Sequence, residues 1–322
     1  MKSSIFSFLI LLSASAFAQY PPAAGQVGST AIPSDSACFI DWASGCSIVR
    51  GFVNISDTTA TALSLNHASY GSESAVAGIA DNVVVSLGDA GTAKVFFNIP
   101  LSDGSGFDFA VFENPLTDTF LELAFVEVSS DGNHFFRIPA YSFSDTASQT
   151  GGFGITDPTK IHNLAGKYRA LFGTPFDIAD APDTALLRKD SITVVRLIDV
   201  VGSIDPVYAS RDCEGRIIND PFPTPFESCG FDLDAVGVIN NRSNTVVNEF
   251  QKTISVYPNP ANDIIYIELE ETEKVFIYSC SGLLVRECRG SENYIDVSGL
   301  DSGIYFLKTT SGHLAKIVIM HR

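Results

Sequence analysis

Leu121-Glu122-Leu123-Ala124-Phe125-Val126-Glu127-Val128-Ser129 alternates as a strand does, and Ser130-Asp131-Gly132-Asn133 then turns the chain into His134-Phe135-Phe136-Arg137-Ile138. Asp-Gly accepts the positive φ that a tight hairpin needs, so this stretch reads as two antiparallel strands. The same pattern recurs on both sides. Asn82-Val83-Val84-Val85-Ser86-Leu87 meets the turn Gly88-Asp89-Ala90-Gly91 and then Ala93-Lys94-Val95-Phe96-Phe97, a second hairpin pattern. Asp103-Gly104-Ser105-Gly106 precedes Phe107 to Phe112, and later strands are expected over Ser191 to Val201 and Phe231 to Ile239. No segment of helical period exceeds about three turns, the best short candidate being Asn163 to Phe172. Short strands separated by turn chemistry predict an all-β sandwich.

At 322 residues the chain suits one large domain and one small one. Its 37 acids against 20 Lys and Arg leave a net charge of −17. That surface repels phosphate backbones, which argues against nucleic-acid binding. Lys2, the apolar run Ile5 to Leu12 and Ala16-Phe17-Ala18 make a secretory signal peptide over residues 1–18. That run is too short to span a bilayer, and no later stretch is long enough, so no transmembrane span is expected. From Gln19 to about Pro33 the chain reads as a loose mature terminus. The cargo domain covers 19–240, and the polar stretch 241–253 is a linker. The acidity belongs to the cargo: 28 of the 37 acids lie between the signal peptide and the tail.

Six cysteines in an exported chain are expected to pair. Spacing favours Cys38 with Cys46, Cys213 with Cys229, and Cys280 with Cys288, each worth roughly 2–3 kcal/mol by loop closure. No C-x-x-C pair or His cluster favours zinc instead. Trp42, the only Trp, lies between the first two cysteines and is either a core anchor or a sugar-stacking platform.

Two segments break the strand rhythm, Tyr141 to Asp190 and Gly202 to Gly230. Loops of this length are either functional or a cover for the sheet. Acids within strands are the main site candidates. Gly106-Phe107-Asp108-Phe109-Ala110-Val111 is echoed by Gly230-Phe231-Asp232-Leu233-Asp234-Ala235-Val236. Alternation puts Asp232 and Asp234 on one face and Phe231, Leu233 and Ala235 on the other. Glu113 ends the first strand, and Asp199 shares the face of Val195, Leu197 and Val201. A buried acid needs a cation or donors. Several of Asp108, Glu113, Asp199, Asp232 and Asp234 are therefore expected to hold calcium, which takes six to eight hard oxygens. The alternative is that these acids cap turns or pair with Arg137 and Arg196.

The tail, 254–322, opens Ile254-Ser255-Val256-Tyr257-Pro258-Asn259-Pro260 and closes Leu300-Asp301-Ser302-Gly303-Ile304-Tyr305-Phe306-Leu307. Between them, Ile264 to Leu269, Lys274 to Tyr278 and Tyr294 to Ser298 read as strands of a small Ig-like antiparallel sandwich. The sequence resembles the type A C-terminal sorting domain of the Bacteroidetes type IX secretion system. Tyr257, Pro258, Asn259, Pro260, Gly303 and Tyr305 carry the resemblance, together with the Ile277-Tyr278…Gly282 hairpin. Cys280 and Cys288 are not part of that pattern. The resemblance implies passage through the periplasm and engagement of the type IX machinery. It further implies release, or attachment at the outer cell surface, after removal of the tail.

The Phe125 to Phe135 hairpin is similar to one in galactose-binding-like jelly rolls. The Phe109 to Asn114 and Gly230 to Val236 strands resemble uncharacterised bacterial cell-surface β-sandwich proteins. The cargo is thus expected to be jelly-roll-like with long loops, a binding or adhesion domain for a glycan or other surface ligand. No G-x-S-x-G, H-E-x-x-H or phosphate loop marks an enzyme. Two alternatives stay open: a polysaccharide hydrolase using Asp108 with Glu113 or Asp234, and small-nutrient capture beside an outer-membrane transporter.

Overall fold

The computed structural model describes residues 20–243, 254–267, 273–279, 283–289, 294–311 and 313–321. The expected signal peptide and most of the linker lie outside the described residues. Contacts divide the chain into two compact units between Arg242 and Ser243. Strand makes up 37% of the described residues and helix 4%, which places the protein in the all-β class.

The first unit contains β1 (Ile32–Pro33), β2 (Asp41–Trp42), β3 (Gly45–Val49), β4 (Val85–Ser86), β5 (Thr92–Leu101), β6 (Phe109–Glu113), β7 (Ala124–Ser129), β8 (Phe136–Arg137), β9 (Tyr141–Ser142), β10 (Ile161–His162), β11 (Phe172–Phe176), β12 (Ile192–Asp199) and β13 (Asp232–Val238). One large sheet runs β1-β11-β6-β13-β2, with β4 also on β13, the second large sheet runs β3-β5-β12-β7-β8, and β9 pairs with β10 alone. All their pairings are antiparallel. From β5 to β7 and again from β11 to β13 the chain alternates between the sheets, giving a jelly-roll-like sandwich. Val95, Val126, Val128, Val195 and Leu197 from one sheet meet Phe109, Val111, Phe231, Leu233 and Val236 from the other in a single core. Outside the β13 bulge described below, every second residue of these strands points inward, as the strand period requires.

β7 is buried along its whole length. Its outer face and that of β12 place Phe125, Ile198 and Val200 against Leu121, Leu123, Ile161, Leu164 and Ile218. The segments Tyr141 to Asp190 and Gly202 to Gly230 thus contribute a covering layer on the second sheet. They are fastened by Asn219, whose amide donates to Asp145 O (2.6 Å) and Ser148 O (2.7 Å) and accepts from Thr150 N (2.9 Å).

The Asp131-Gly132 hairpin forms as read, with Glu127 opposite Arg137 and Val128 opposite Phe136. Other expectations are corrected. Val85–Ser86 and Thr92–Leu101 do not form a hairpin: β4 joins β13, whereas β5 joins β3 and β12. The corner between them crosses from one sheet to the other because Asp199 captures it, accepting from Ala90 N (3.0 Å) and donating its own N–H to Gly91 O (2.9 Å). Asn163 to Phe172 forms no helix. Ala165 exchanges backbone hydrogen bonds with Ala124, and Asn163, Gly166 and Leu171 all have positive φ, which a right-handed helix excludes. In β13 a bulge between Leu233 and Ala235 shifts the alternation by one, so Ala235 leaves the core for the outer layer of Ala110, Phe112 and Trp42. Trp42 packs at 4.9 Å from Phe39 and 5.4 Å from Phe112, the core-anchor reading.

The cysteine pairings in the cargo are also corrected: Cys38, Cys46, Cys213 and Cys229 are free thiols. Each has separate surroundings. Cys46 lies on β3 with its thiol 3.5 Å from Glu73 O, whereas Cys38 sits in the turn before β2 and accepts from the Ser36 hydroxyl. Cys229 is buried with its thiol 3.6 Å from Phe52 O, whereas Cys213 is exposed. Closeness in sequence did not bring either pair together. The Cys280–Cys288 pairing reaches outside the described residues.

In the second unit, β14 (Val256–Tyr257), β15 (Ile264–Ile267) and β18 (Tyr294–Asp296) form one sheet. β16 (Lys274–Ser279), β17 (Leu284–Arg289), β19 (Gly303–Thr309) and β20 (Leu314–Ile319) form another, in the order β17-β16-β19-β20. Ile265, Ile267, Val275, Ile277, Ile295, Leu307, Ile317 and Ile319 make its core. Asn259 explains why the Tyr257-Pro258-Asn259-Pro260 turn holds its place. Its amide donates to Lys316 O and accepts from Val318 N, both at 2.8 Å, binding the turn to β20 as a further strand would.

Candidate functional site

One end of the cargo sandwich gathers acids from both sheets. Glu113 is the last residue of β6 and Asp232 the first of β13, brought level because Leu233 pairs with Glu113. Asp199 ends β12 opposite Ala124 at the start of β7, which sets Glu122 just beyond that strand. Asp89 lies in the corner before β5, and Asp220 comes from the covering loop. All six are buried.

Two glycines make the approach possible. Gly230 has φ +69°, and a Cβ there would stand 2.7 Å from Asp199 Oδ1, the oxygen that accepts from Phe231 N at 2.7 Å. Gly166, at φ +82°, passes so close to the Glu122 carbonyl that a Cβ would lie 1.8 Å from it. Any other residue at either position would displace an acid-bearing segment.

Burial is the largest influence on all six carboxyls and raises each one's pKa, because a charge withdrawn from water favours its neutral form. Glu113 is lifted further by Glu122 and Asp232, and Glu122 by Asp232, Asp220, Asp199 and Asp89. Asp199 and Asp220 are likewise well above the carboxylate range. Asp232 is pushed to about 7, the Ser86 hydroxyl and Arg50 opposing burial, and Asp89 to about 6.

Hydrogen bonding answers only part of this charge. Asp199 accepts from two backbone N–H groups, Asp89 from Ile55 N (2.8 Å) and Asp232 from the Ser86 hydroxyl. Asp220 Oδ2 accepts from Leu123 N (2.9 Å), but its Oδ1 has no partner, nor does Glu113 Oε2. One carboxylate oxygen each from Glu113, Glu122 and Asp232 lie within 4.8 Å of one another. Above them, Glu122 and Asp232 form part of the wall of a pocket of about 230 Å³ rimmed by Phe120, Phe153 and Phe226.

The other sequence candidates lie elsewhere. Asp108 precedes β6 at its opposite end, near Asp103 and Asp177. Its carboxylate accepts from Gly104 N (2.8 Å), Ile178 N (2.7 Å) and the Asn240 amide (3.0 Å). Asp234 sits in the β13 bulge and accepts from Asp81 N (3.2 Å) and Asn82 N (3.0 Å). Of the five acids expected to converge, Glu113, Asp199 and Asp232 share one end and Asp108 and Asp234 do not. Asp108 therefore does not face Glu113 or Asp234 as a hydrolytic pair would. Arg137 and Arg196 both pair with Glu127, not with any of these acids. Glu122, Asp220 and Asp89 were not singled out from the sequence. Glu122 carries a visible signal, an acid flanked by apolar residues (Leu121 and Leu123) as Asp199 is by Ile198 and Val200.

A larger groove of about 910 Å³ lies among the covering loops, walled by Tyr20, Phe143, Ile217 and Arg216 with Ser142, Ser144, Thr146, Asp157, Thr159 and Lys160. The Arg216 guanidinium stacks 4.2 Å over the Phe143 ring and is held by Asp212 and Glu214. Tyr20, anchored by its N–H to Thr159 O, stacks on His162 at 4.7 Å.

Residues 255–320 match the family of secretion system C-terminal sorting domains. The tail is a sorting domain. It marks the chain for type IX export, to the cell surface or into the medium, and implies contact with the type IX machinery. Among the described residues no helix is long and apolar enough to cross a membrane. No curated protein matches the chain. Among solved structures, PorZ, a surface component of the type IX secretion system of Porphyromonas gingivalis, is similar at 16% identity over 27% of this chain and 14% of its own, with a TM-score of 0.19. The β-glucuronidase of Ruminococcus gnavus with D-glucaro 1,5-lactone gives 13% identity, 72% and 36% coverage and 0.18. That of Faecalibacterium prausnitzii gives 12% identity, 87% and 45% coverage and 0.19. The chain spans less than half the length of these structures, and at such TM-scores the likeness bears on neither fold nor activity.

Proposed function

We propose that the exported cargo is a surface or secreted binding protein that takes a glycan in the groove walled by Tyr20, Phe143 and Arg216. The observation that carries this reading is the composition of that groove. Sugars offer apolar C–H faces and hydroxyl edges. This groove offers the Tyr20 and Phe143 rings beside Ser142, Ser144, Thr146 and Thr159 hydroxyls, with Lys160 and Asp157 as charged hydrogen-bonding groups. Its volume of about 910 Å³ has room for several sugar rings.

A glycan array and a reducing-sugar assay on the mature chain test it together. At least one glycan is expected to bind without release of reducing ends. Phe143→Ala should weaken that binding about tenfold, the loss of one aromatic contact of roughly 1.4 kcal/mol. Absence of any glycan ligand, binding untouched by both Phe143→Ala and Lys160→Ala, or release of reducing ends would each reject the reading.

A further inference from the structure

We propose that the acidic end of the sandwich is a calcium site, ligated by Glu113, Glu122 and Asp232. Two independent observations support it. The first is convergence: oxygens of Glu113, Glu122 and Asp232 lie within 4.8 Å of one another, close enough for one ion to touch all three. The second is the unsatisfied valence of this end. Glu113 is 2% exposed and Asp220 3% exposed, yet Glu113 Oε2 and Asp220 Oδ1 accept no hydrogen bond. A buried carboxylate oxygen without a donor is costly, and native structures seldom keep one except where something else binds it.

The donor set selects the ion. The three converging groups are all carboxylates, hard oxygen donors that can each bind through one or both oxygens. Binding through both oxygens they can supply six of the six to eight that calcium takes, and water entering from the pocket can complete the shell. Zinc favours sites built largely from His and Cys, and magnesium retains several of its waters. Asp199 and Asp89 are placed differently. Their oxygens already accept from Phe231 N, Ala90 N and Ile55 N, so they add negative charge around the ion and fix the corner loops instead of ligating it. The ion has a way in, since Glu122 and Asp232 open onto the pocket beneath Phe153 and Phe226. This site is separate from the Tyr20–Phe143 groove and stands whether or not that groove binds a sugar.

The test uses the full mature chain, stripped with EDTA, dialysed, and then equilibrated with calcium, magnesium or zinc chloride. Elemental analysis is expected to find one calcium per chain, with the melting temperature of the cargo transition several degrees higher in millimolar calcium than in EDTA. Glu113→Gln should lose both the bound calcium and the rise, and should melt no lower than wild type in EDTA because a neutral amide suits the metal-free site that disfavours a charge there. Asp108→Asn, at the far end, should keep its calcium. The inference is overturned if wild type retains no metal and melts alike in EDTA and calcium, or if zinc or magnesium is held in preference. It is also overturned if Asp108→Asn loses the ion while Glu113→Gln keeps it. Should Glu113→Gln fail to fold, Glu122→Gln replaces it, and the calcium content of wild type still decides.

Discussion

Gly106-Phe107-Asp108 and Gly230-Phe231-Asp232 are nearly the same corner placed at opposite ends of one sandwich. In both, a glycine at positive φ turns the chain into a strand and an aspartate follows two residues later. Their surroundings differ. Asp108 meets three donors, Gly104 N, Ile178 N and the Asn240 amide, all within 3.0 Å. Asp232 meets one hydroxyl and two further carboxylates. The first arrangement satisfies a buried acid with the chain's own N–H groups and so binds loops to a strand. The second brings carboxyls together with too few donors to hold them ionised, which calls for a ligand from outside. Sequence alone does not separate them, because the difference lies in what arrives from other strands.

The largest expected effect tests the fastening role. Asp108→Ala strips three donors of their acceptor at once. Hydrogen bonds to a charged acceptor contribute about 1.5–3 kcal/mol each, and the part-buried Gly104 N and Asn240 amide can regain water whereas Ile178 N cannot, so a loss of roughly 3–5 kcal/mol is expected. The urea midpoint of the cargo transition measures it, and the loss should be equal with and without calcium. A loss that disappears in EDTA would erase the distinction between the two ends.

What a buried charge costs where only one neutral acceptor answers it is shown by Lys167, a residue belonging to neither acid group. Its ammonium is buried and donates to one carbonyl, Ile161 O, at 2.8 Å. Burial lowers its pKa from 10.5 to about 8. Below about 8 both folded and unfolded chains carry the proton, and the desolvation penalty is present in full. Between about 8 and 10.5 the folded chain releases the proton while the unfolded chain keeps it. The unfolded state then binds more protons, so stability rises with pH through that window. The gain is expected to reach roughly 3 kcal/mol, and Lys167→Met should abolish it. Unfolding free energies of wild type and variant at pH 7 and pH 10 give the comparison. Equal slopes would show that desolvation in this interior is weaker than the acidic end requires.

Much of the frame is legible in the sequence. The Asp131-Gly132 hairpin, the strand at 192–199 and the all-β class follow from alternation and turn residues, which are local properties. The site was legible only in part. Glu113, Asp199 and Asp232 stood out as acids within apolar strands, but Asp108 and Asp234 look the same and serve other ends. Their separation depends on register: Leu233 opposite Glu113, and a bulge that turns Asp234 toward Asp81 and Asn82. Asp220 sits in a loop and is brought in by Leu123 N, a contact 97 positions away that leaves no local mark.

The smallest expected effect concerns how Asp220 is held there. A Cys213–Cys229 bond would fasten its loop covalently, and reducing it would remove roughly 2–3 kcal/mol, several degrees in the cargo transition. Both residues are instead free thiols, one exposed and one buried against Phe52 O. The loop is held by Asn219, by the Gln149 amide donating to Gly202 O at 2.9 Å, and by Asp220 itself. Adding dithiothreitol should therefore shift the cargo transition by no more than about 1 °C. Native thiol labelling should modify Cys38 and Cys213 well before Cys229. A drop of several degrees would mean that a covalent bond, and not the hydrogen-bonded cover, sets where Asp220 Oδ1 points. The acidic end would then owe its shape to oxidation after export, and its readiness for an ion would depend on the redox state of its surroundings.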